Sequence, residues 1–467
     1  MNLPNEYINE MKSLLGEEQY RLYEKSLNED RKIGIRINTK KISVDDFIKV
    51  SPFSIKRIPY VDNGFWVDDN ENVSKHPFYY AGLYYIQEPS AMIPAACLNI
   101  KKEDYVLDLC AAPGGKATEI LSKNPAFILA NDLSYSRTIP LVKNMEMFGG
   151  KNYMVSADKP QKLERFFPSF FDKIIVDAPC SGEGMFRKDP SLITSWNKKR
   201  PFDYNKDQYE ILSSAVKMLK PGGLIIYSTC TFSICEDEDI VGRILEENPD
   251  VQLIELPKYD GFSDGYNSSQ YPHLNFSKCI RIFPHLLKGE GHFVAGIYKN
   301  RAETNDVKTT ISKCKIKFLT ENQLPDKCKE FLNHVSSDFK SGKYYINNGF
   351  LYVIDEIASN ILNDSLHYTR TGCLIGQIKE KGNFSVNSGL ALSLTINQFD
   401  NVLNLNINDE RVLKYLKCET ILNNDSDPLV KKGYVLVCVN GFPLGFAKFD
   451  GTKYKNLYVQ GWRYNGN

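Results

Sequence analysis

A regular alternation of short apolar runs and amphipathic stretches between residues 80 and 300 limits the fold more than any other feature of this chain. Strands are predicted at residues 105–109, 128–131, 153–156, 173–177, 224–228 and 292–298. Helices are predicted between them, most clearly over residues 208–219, where one apolar stripe is followed by the stop signal Gly222-Gly223. Because strands that alternate with helices form mostly parallel sheets covered on both faces, we predict an α/β core.

Three of the predicted strands end in turns of unusual composition. The first runs into Asp108-Leu109-Cys110-Ala111-Ala112-Pro113-Gly114-Gly115-Lys116, the fourth into Asp177-Ala178-Pro179-Cys180, and the fifth into Ser228-Thr229-Cys230. The carboxyl ends of neighbouring parallel strands meet at one edge of a sheet, where α/β folds bind their ligands. We therefore expect the three turns to open onto one pocket that contains two thiols.

The first turn has the features of a loop that holds a cofactor. Gly114 and Gly115 let the backbone approach a ligand, and the helix that follows presents free N–H groups to a carboxylate or phosphate. The spacing fits neither the G-x-G-x-x-G fingerprint nor a P-loop. Asp132 and Asp158 follow the next two strands, where they are placed to bind ribose hydroxyls and an adenine amino group. A single Asp at a strand end is usually an ordinary loop or cap residue, but the joint pattern predicts an S-adenosylmethionine site.

Cys180 and Cys230 differ from the other cysteines because each follows a strand within a turn of small residues. A thiolate that adds to carbon 6 of cytosine makes carbon 5 nucleophilic enough to attack a sulfonium methyl group. Asp177 is placed to act as the acid near N3, and Lys116 to hold a base or to lower the pKa of a thiol. Cys110 is expected to pack beneath the cofactor. Seven others are predicted to be small core residues: Cys97, Cys279, Cys314, Cys328, Cys373, Cys418 and Cys438.

Length and cysteine usage indicate a multidomain protein with free thiols. A chain of 467 residues is too long for one hydrophobic core, so two to four domains are expected. Eleven cysteines without an export signal at the N-terminus predict a cytoplasmic protein with reduced thiols. No CxxC pair occurs, so no metal site is predicted, and no run of 18 apolar residues suggests a membrane span. The net charge of +1 neither favours nor excludes nucleic acid.

Other regions flank the α/β core, which is assigned to residues 76–300. Residues 1–75 form a predicted α+β domain with helices at 6–15 and 18–27, a strand at 33–38 and a loop at 63–75. Residues 301–371 combine a linker, predicted at 300–313, with a small mixed domain. Residues 372–467 have the pattern of a small β-rich, barrel-like domain, in which Asn440-Gly441 is a strong hairpin signal.

These motifs resemble those of the NOL1/NOP2/Sun RNA cytosine-5 methyltransferases, and among them the bacterial enzymes that act on 16S ribosomal RNA. Besides the three strand-end turns, the resemblance rests on Arg36-Ile37-Asn38-Thr39, Gln87-Glu88-Pro89-Ser90, Glu183-Gly184-Met185-Phe186-Arg187-Lys188, Gly289-Glu290-Gly291-His292-Phe293, Gly441-Phe442-Pro443-Leu444-Gly445 and Gly461-Trp462-Arg463. It implies a Rossmann-like S-adenosylmethionine-dependent methyltransferase core, an N-terminal α+β RNA-binding domain and a C-terminal PUA-like, β-rich RNA-binding domain.

The resemblance also implies roles for individual residues. Cys230 would be the nucleophile and Cys180 would assist release of the product, whereas DNA enzymes use the Pro-Cys cysteine as the nucleophile. The residues implied to line the S-adenosylmethionine site are Cys110, Ala111, Ala112, Pro113, Gly114, Gly115, Lys116, Asp132, Asp158 and Asp177. The implied activity is methylation of carbon 5 of a cytosine in 16S ribosomal RNA by a monomeric protein.

Three different functions stay open at this stage. They are the same reaction on transfer RNA, a non-catalytic ribosome-assembly factor, and a small-molecule methyltransferase. The catalytic motifs do not separate the two RNA substrates, whereas the two thiols argue against the assembly factor and against the small-molecule enzyme. Four aromatic residues near the basic Lys198-Lys199-Arg200 are candidates for stacking on RNA bases, although two of them, Trp196 and Phe202, fit the core equally well. The four are Phe186, Trp196, Phe202 and Tyr204.

Overall fold

The computed structural model describes residues 1–301, 314–424, 427 and 429–466, so the predicted linker at 300–313 lies almost wholly outside the described residues. The N-terminal elements are α1 (Asn5–Ser26), β1 (Ile33–Ile37), α2 (Val44–Val50), β2 (Ile55–Arg57), β3 (Gly64–Val67), α3 (Pro77–Tyr80) and β4 (Tyr84–Gln87). Their strands form one antiparallel sheet in the order β2-β3-β1-β4. This sheet extends beyond residue 75, and the four domain boundaries stay predictions.

Two local predictions in this region have different outcomes. α1 covers both predicted helices, and the break between them is at Gly16, whose φ of 77° suits glycine. The predicted loop at 63–75 is wrong in part, because Gly64–Val67 forms β3 and pairs with β1. Phe65 and Val67 are buried in this strand. A four-residue strand between Asn- and Asp-rich segments is too short to show a reliable alternation.

The central elements alternate between strand and helix as predicted from residue 105 to residue 247, but three strands between residues 251 and 282 were not predicted. They are α4 (Ile93–Ala96), β5 (Tyr105–Asp108), α5 (Gly115–Ser122), β6 (Phe127–Asn131), α6 (Tyr135–Phe148), β7 (Tyr153–Ser156), α7 (Pro160–Phe166), β8 (Phe171–Asp177), α8 (Ser191–Ser195), α9 (Arg200–Met218), β9 (Leu219–Thr229), α10 (Glu238–Glu247), β10 (Val251–Ile254), β11 (Phe262–Asp264), β12 (Ile280–Ile282) and β13 (His292–Lys299). α9 begins eight residues before its predicted start, because Pro201 fits the first turn of a helix.

The remaining elements follow the undescribed segment at 302–313. They are α11 (Asp326–Leu332), α12 (Ser337–Lys340), β14 (Lys343–Asn347), β15 (Phe350–Ile354), α13 (Glu356–Ile361), β16 (Tyr368–Thr371), β17 (Cys373–Ile378), β18 (Phe384–Val386), α14 (Ser388–Ser393), β19 (Val402–Leu405), α15 (Glu410–Leu416), β20 (Ile421–Leu422), β21 (Gly433–Val439), β22 (Phe442–Phe449) and β23 (Lys453–Asn456). None of the helices in the described part of the chain is long and apolar enough to cross a membrane.

The central sheet has the order β11-β12-β13-β9-β8-β5-β6-β7-β16, with β10 paired to β13. Strands β5 to β9 are mutually parallel, and the antiparallel strands β13 and β16 flank them. α5 and α6 cover one face, while α7, α9 and α10 cover the other. After β5 the chain adds β6 and β7 on one side of β5, and it then crosses to the other side of β5 to add β8 and β9. The topological switch point, where such sheets bind ligands, therefore lies between β5 and β8.

Two smaller sheets complete the C-terminal half. One has the order β14-β15-β17-β18 and the other β19-β21-β22-β23-β20. The predicted hairpin is confirmed, since Asn440 and Gly441, with φ of 46° and 87°, join β21 to β22. The second sheet shares a hydrophobic cluster with the N-terminal sheet, which includes Ile35 and Leu403. The first and last parts of the chain thus pack together.

Candidate active site

Two thiols lie side by side at the carboxyl edge of the central sheet. β8 and β9 are parallel neighbours with Asp177 opposite Ser228, so Cys180 and Cys230 follow at the same edge. Their sulfur atoms are 3.2 Å apart, and both cysteines are free. The Cys230 backbone N–H also donates to the sulfur of Cys180 at 3.3 Å. The structure therefore brings together the two strand-end cysteines that the sequence indicated.

The two thiols differ in their surroundings. The hydrogen bond with Cys230, followed by burial, raises the pKa of the Cys180 thiol well above its usual value. Cys180 therefore keeps its proton near neutral pH and can donate it in a hydrogen bond to the sulfur of Cys230. Cys230 borders the reaction cavity described below, whereas Cys180 does not, and this position makes Cys230 the better candidate for the nucleophile.

Lys116 and Asp177 form a largely buried ion pair beside the thiols. The Lys116 ammonium is 2.6 Å from Asp177 Oδ2, and the Ser228 hydroxyl donates to Asp177 Oδ1 at 2.8 Å. Burial opposes ionisation of Asp177, but the charge of Lys116 and the hydrogen bonds outweigh it and hold the pKa of this carboxyl below its usual value. Asp177 is therefore a carboxylate at neutral pH. An acid role for Asp177 requires a proton from a partner such as Lys116.

The ion pair, Cys230 and the first strand-end loop border one cavity of about 320 Å³. Every predicted loop residue from Cys110 to Lys116 lines it except Gly114, whose φ of 113° makes the turn into α5. Outside the loop and the catalytic candidates, the wall includes Tyr85, Gln87, Asp108, Met185, Lys188 and His292. The cavity thus lies at the switch point between β5 and β8, closed on one side by residues of β4 and of the segment directly after it.

Asp108, the last residue of β5, lacks the partners that a buried carboxylate needs. Neither of its oxygens accepts a hydrogen bond of normal geometry from the described residues, although the nearby Cys110 N–H lowers its pKa. Burial dominates and raises the pKa of Asp108 to about 8. A carboxylate of this kind, close to the free N–H groups that begin α5, fits a ligand with both an ammonium and a carboxylate group. S-adenosylmethionine carries both, so the residues present fit this cofactor.

Asp132 and Asp158 follow β6 and β7 as predicted, but neither borders the cavity. Asp132 accepts the N–H groups of Ser134 at 3.0 Å and Ala112 at 3.3 Å. Asp158 accepts the His367 N–H at 2.7 Å, and its other oxygen contacts the His367 ring at 2.9 Å. Both carboxylates are buried and already hydrogen-bonded. To bind a ribose or an adenine, the two carboxylates would have to give up some of these hydrogen bonds. Their roles in binding the cofactor stay predictions.

Known proteins match three parts of the chain. Residues 95–298 match the family described as 16S rRNA methyltransferase RsmB/F, residues 3–89 the N-terminal domain of 16S rRNA methyltransferase RsmF, and residues 402–464 the methyltransferase RsmF PUA domain. Ribosomal RNA small subunit methyltransferase F of Vibrio parahaemolyticus serotype O3:K6 is 30% identical over 441 residues, which cover 90% of this chain and 89% of that protein. The chain belongs to the ribosomal RNA small subunit methyltransferase F family. The protein of the same name from Vibrio atlanticus is 29% identical over 97% of this chain and 96% of its own.

Solved structures share the fold of the central part of this chain. A methyltransferase homolog from Pyrococcus horikoshii is 29% identical, with a TM-score of 0.55 over 61% of this chain and 92% of that chain. NSun6 from Pyrococcus horikoshii, solved with SFG, has the same fold at 24% identity, with a TM-score of 0.56 over 64% of this chain and 99% of that chain. The predicted resemblance to Sun-type methyltransferases, the Rossmann-like core and the PUA domain are confirmed.

In this member of the methyltransferase F family, a buried carboxylate, Glu236, holds the turn that contains Cys180, and the sequence motifs did not assign it. Glu236 accepts the Ser181 N–H at 2.9 Å, and Gln208 donates to Glu236 at 2.9 Å. Gln208 also donates to the Pro179 carbonyl, directly before Cys180. Burial raises the pKa of Glu236 to about 7. The only feature of the sequence that could have indicated Glu236 was the acidic run after Cys230. Such a run usually lies in the first turn of a helix and faces solvent.

The RNA-stacking prediction is wrong for two of the four aromatic residues. Trp196 is buried, packs edge-on against Tyr7 and donates to Glu183 at 2.8 Å. Phe186 is buried in the same cluster. The contact that covers them comes from Tyr7 in α1, which lies more than 170 residues earlier in the chain and which no local pattern indicates. Phe202 is 65% exposed, so it keeps an open face.

Replacing Asp108 with Asn should weaken cofactor binding and remove part of its pH dependence. The free carboxyl, with a pKa of about 8, is mostly protonated at pH 7, and a bound cation favours its ionised form. Binding then releases a proton below pH 8, so the wild-type affinity should rise with pH by up to about tenfold per unit and level off above pH 8. Calorimetric titration with S-adenosylmethionine from pH 6 to 9 measures this. The Asp108→Asn variant corrects for titration of the ligand, and identical slopes in both proteins would contradict the assignment.

Proposed function

We propose that the protein transfers a methyl group from S-adenosylmethionine to carbon 5 of a cytosine in 16S ribosomal RNA, through a covalent bond between Cys230 and carbon 6. The observation that carries this proposal is the pair of sulfur atoms 3.2 Å apart beside the cavity of the glycine-rich loop. Carbon 5 of cytosine is a poor nucleophile, and addition of a thiol to carbon 6 activates it. One thiol serves the attack, and a second thiol in contact with it serves the release.

The first step uses Cys230, Asp177 and Lys116. The sulfur of Cys230 bonds to carbon 6, its proton is lost, and N3 of the base gains a proton, which leaves a neutral enamine. Asp177 accepts a hydrogen bond from the amino group of the base and passes the proton of Lys116 to N3. It then accepts a second hydrogen bond from the N3–H that forms. S-adenosylmethionine, when bound, supplies an electrophilic methyl group on a sulfonium. Carbon 5 of the enamine would take up this methyl group as the bond between the methyl group and sulfur breaks with its electrons on sulfur. S-adenosylhomocysteine would then leave, and the base would be a cation.

The release step uses Cys180. The electrons of the carbon 5 to hydrogen bond restore the double bond between carbons 5 and 6, and the electrons of the carbon 6 to sulfur bond return to Cys230. Cys180, in contact with Cys230, gives its proton to the departing sulfur and takes up the proton from carbon 5. N3 then loses its proton, so the reaction releases one proton in total and regenerates both thiols.

Two observations support 16S ribosomal RNA as the substrate. The relatives that cover most of this chain are named for the small-subunit ribosomal RNA, and residues 402–464 match a PUA domain. A cytosine must leave its stack to reach a thiol in the wall of a cavity, so the target is expected in a loop, a bulge or an accessible helix end. A cytoplasmic, monomeric protein is part of the same proposal.

The test is methyl transfer from labelled S-adenosylmethionine to three RNAs. Purified protein is incubated with 16S ribosomal RNA, with small ribosomal subunits that lack the modification, and with transfer RNA. We expect label in the 16S RNA of one or both ribosomal substrates, as 5-methylcytidine, and none with Cys230→Ala. Cys314→Ala, which removes a thiol outside the cavity, is the matched control and should keep wild-type transfer. Label only in transfer RNA, or in none of the three, would contradict the proposal.

A further inference from the structure

Glu88 is a carboxylate whose oxygens are taken up by neighbouring donors. Its Oε1 accepts the backbone N–H groups of Ser90 at 2.8 Å and Glu290 at 2.7 Å. Its Oε2 accepts the Ala91 N–H at 2.9 Å and the hydroxyl of Ser90. Four donors surround it, so both oxygens of Glu88 act as hydrogen-bond acceptors.

This arrangement fixes the position of the proton on His292. Ser90 has one hydroxyl proton, and it is donated to Glu88. Ser90 Oγ and His292 Nδ1 are 2.8 Å apart, and the donor of the hydrogen bond between them must therefore be the Nδ1–H of the ring. Burial lowers the pKa of His292 to about 4, so the ring is neutral at physiological pH. In a neutral ring protonated at Nδ1, the other nitrogen, Nε2, is an acceptor.

The position of His292 directs this acceptor to the reaction cavity. β13 and β9 are antiparallel, and Phe293 pairs with Thr229. His292, the first residue of β13, therefore lies opposite Cys230, just beyond the last paired residues. Both residues border the cavity, as does Asp177. None of the residues that the structure describes donates a hydrogen bond to Nε2. His292 is thus a buried, neutral ring whose tautomer is fixed by its neighbours and which no step of the proposed methyl transfer uses.

We propose that His292 is a specificity-determining residue that accepts a hydrogen bond from the exocyclic amino group of the target base and thereby selects cytosine over uracil. The inference rests on the proposed function, because it names how that site reads its base. Cytosine has an amino donor at carbon 4, where uracil has a carbonyl acceptor. With Asp177 and His292 both acting as acceptors, the two amino hydrogens of cytosine are paired, whereas uracil would place its carbonyl oxygen against an acceptor in a buried site.

The main experiment compares variants on 16S RNA with either cytosine or uracil at the position mapped by the methyl-transfer assay. His292→Phe removes the acceptor and should lower kcat/KM on the cytosine RNA by about 10- to 100-fold and lower the preference for cytosine by a similar factor. His292→Gln offers an amide oxygen and should recover part of the preference. His273→Phe, at an exposed site, is the matched control and should behave as the wild type. A wild-type preference for cytosine in a folded His292→Phe variant would overturn the inference.

Ser90→Ala separates this role from a structural one. It leaves the ring in place but removes the acceptor for Nδ1–H, so the proton can move to Nε2. We expect a smaller loss of the preference for cytosine, with unchanged binding of S-adenosylmethionine. A fall in activity with an unchanged preference would mark His292 and Ser90 as structural residues and overturn the inference.

Nitrogen NMR of histidine-labelled protein tests the same inference without RNA. The signal that His292→Gln removes should show an unprotonated Nε2 and a protonated Nδ1 from pH 6 to 9, and Ser90→Ala should change this pattern. A proton on Nε2 in the wild type would overturn the inference. Because this measurement does not depend on the substrate, and because the target is mapped before the variants are compared, failure of the proposed function can be told apart from failure of the role of His292.

Discussion

RNA incubated with S-adenosylmethionine and the Cys180→Ala variant should stay covalently attached to the protein in a denaturing gel. Cys230 would still attack and carbon 5 would still be methylated, but the group that exchanges protons with the departing sulfur would be missing. Loss of a positioned acid or base costs about 10²- to 10⁴-fold in rate, so the adduct should be released at least ~100-fold more slowly than from the wild type. The contact of 3.2 Å between the two sulfur atoms is the physical basis of this expectation.

The double variant is the decisive control for this result. Cys180→Ala combined with Cys230→Ala should give no adduct, and Cys230→Ala alone should give neither an adduct nor methyl transfer. An adduct with Cys230→Ala and none with Cys180→Ala would reverse the two roles, as in the enzymes that attack with the Pro-Cys cysteine. Absence of an adduct and of methyl transfer in every variant and in the wild type would favour a non-catalytic RNA-binding protein.

The largest expected effect on stability is that of Arg281→Leu. The Arg281 guanidinium donates to Glu238 Oε1 at 2.8 Å and lies 3.1 Å from Asp237 Oδ2, and all three side chains are fully buried. It also donates to the carbonyl of Phe232, two residues after Cys230. Removing the cation leaves two buried carboxyl groups with only neutral donors, the Tyr266 N–H for Glu238 and the Thr229 hydroxyl for Asp237. Breaking a buried ion pair typically costs about 3–5 kcal/mol.

This cost is measured as the shift in the urea midpoint, followed by circular dichroism. Arg243→Leu is the matched control, because its partner Glu247 and Arg243 itself are both more than 40% exposed, and such surface pairs contribute about 0–1 kcal/mol. We expect a large downward shift for Arg281→Leu and almost none for Arg243→Leu. Equal small shifts would show that Asp237 and Glu238 do not depend on Arg281 in the folded state.

The chemistry at the ends of the parallel strands was predictable from local sequence. Each strand is an apolar run, each turn carries small residues, and parallel strands end at one edge, so Cys180, Cys230 and the loop before Lys116 had to converge if the sheet formed. The antiparallel edges were not predictable in the same way. β16 pairs with β7 from more than 200 residues away, and this places the ring of His367 against Asp158. No local periodicity carries information about such a pairing.

The groups that support the site were missed for a related reason. Ser90 and His292 are 202 residues apart in sequence and meet only because the first residue of β13 lies beside the segment after β4. Neither residue has a local pattern that indicates the other. Buried carboxylates such as Glu236 and Glu238 were equally hidden, because an acidic run at the start of a helix normally faces solvent. The structure buries them because Ser181 and Arg281 supply their hydrogen-bond partners.

The most direct test of the mechanism is to locate the bond in the Cys180→Ala adduct. The trapped complex is digested with nuclease and protease, and the peptides are sequenced by mass spectrometry. We predict a single modified peptide in which Cys230 carries a cytidine nucleotide with one added methyl group. A nucleotide on another residue, or a base other than cytosine on Cys230, would contradict the mechanism derived from the two neighbouring thiols.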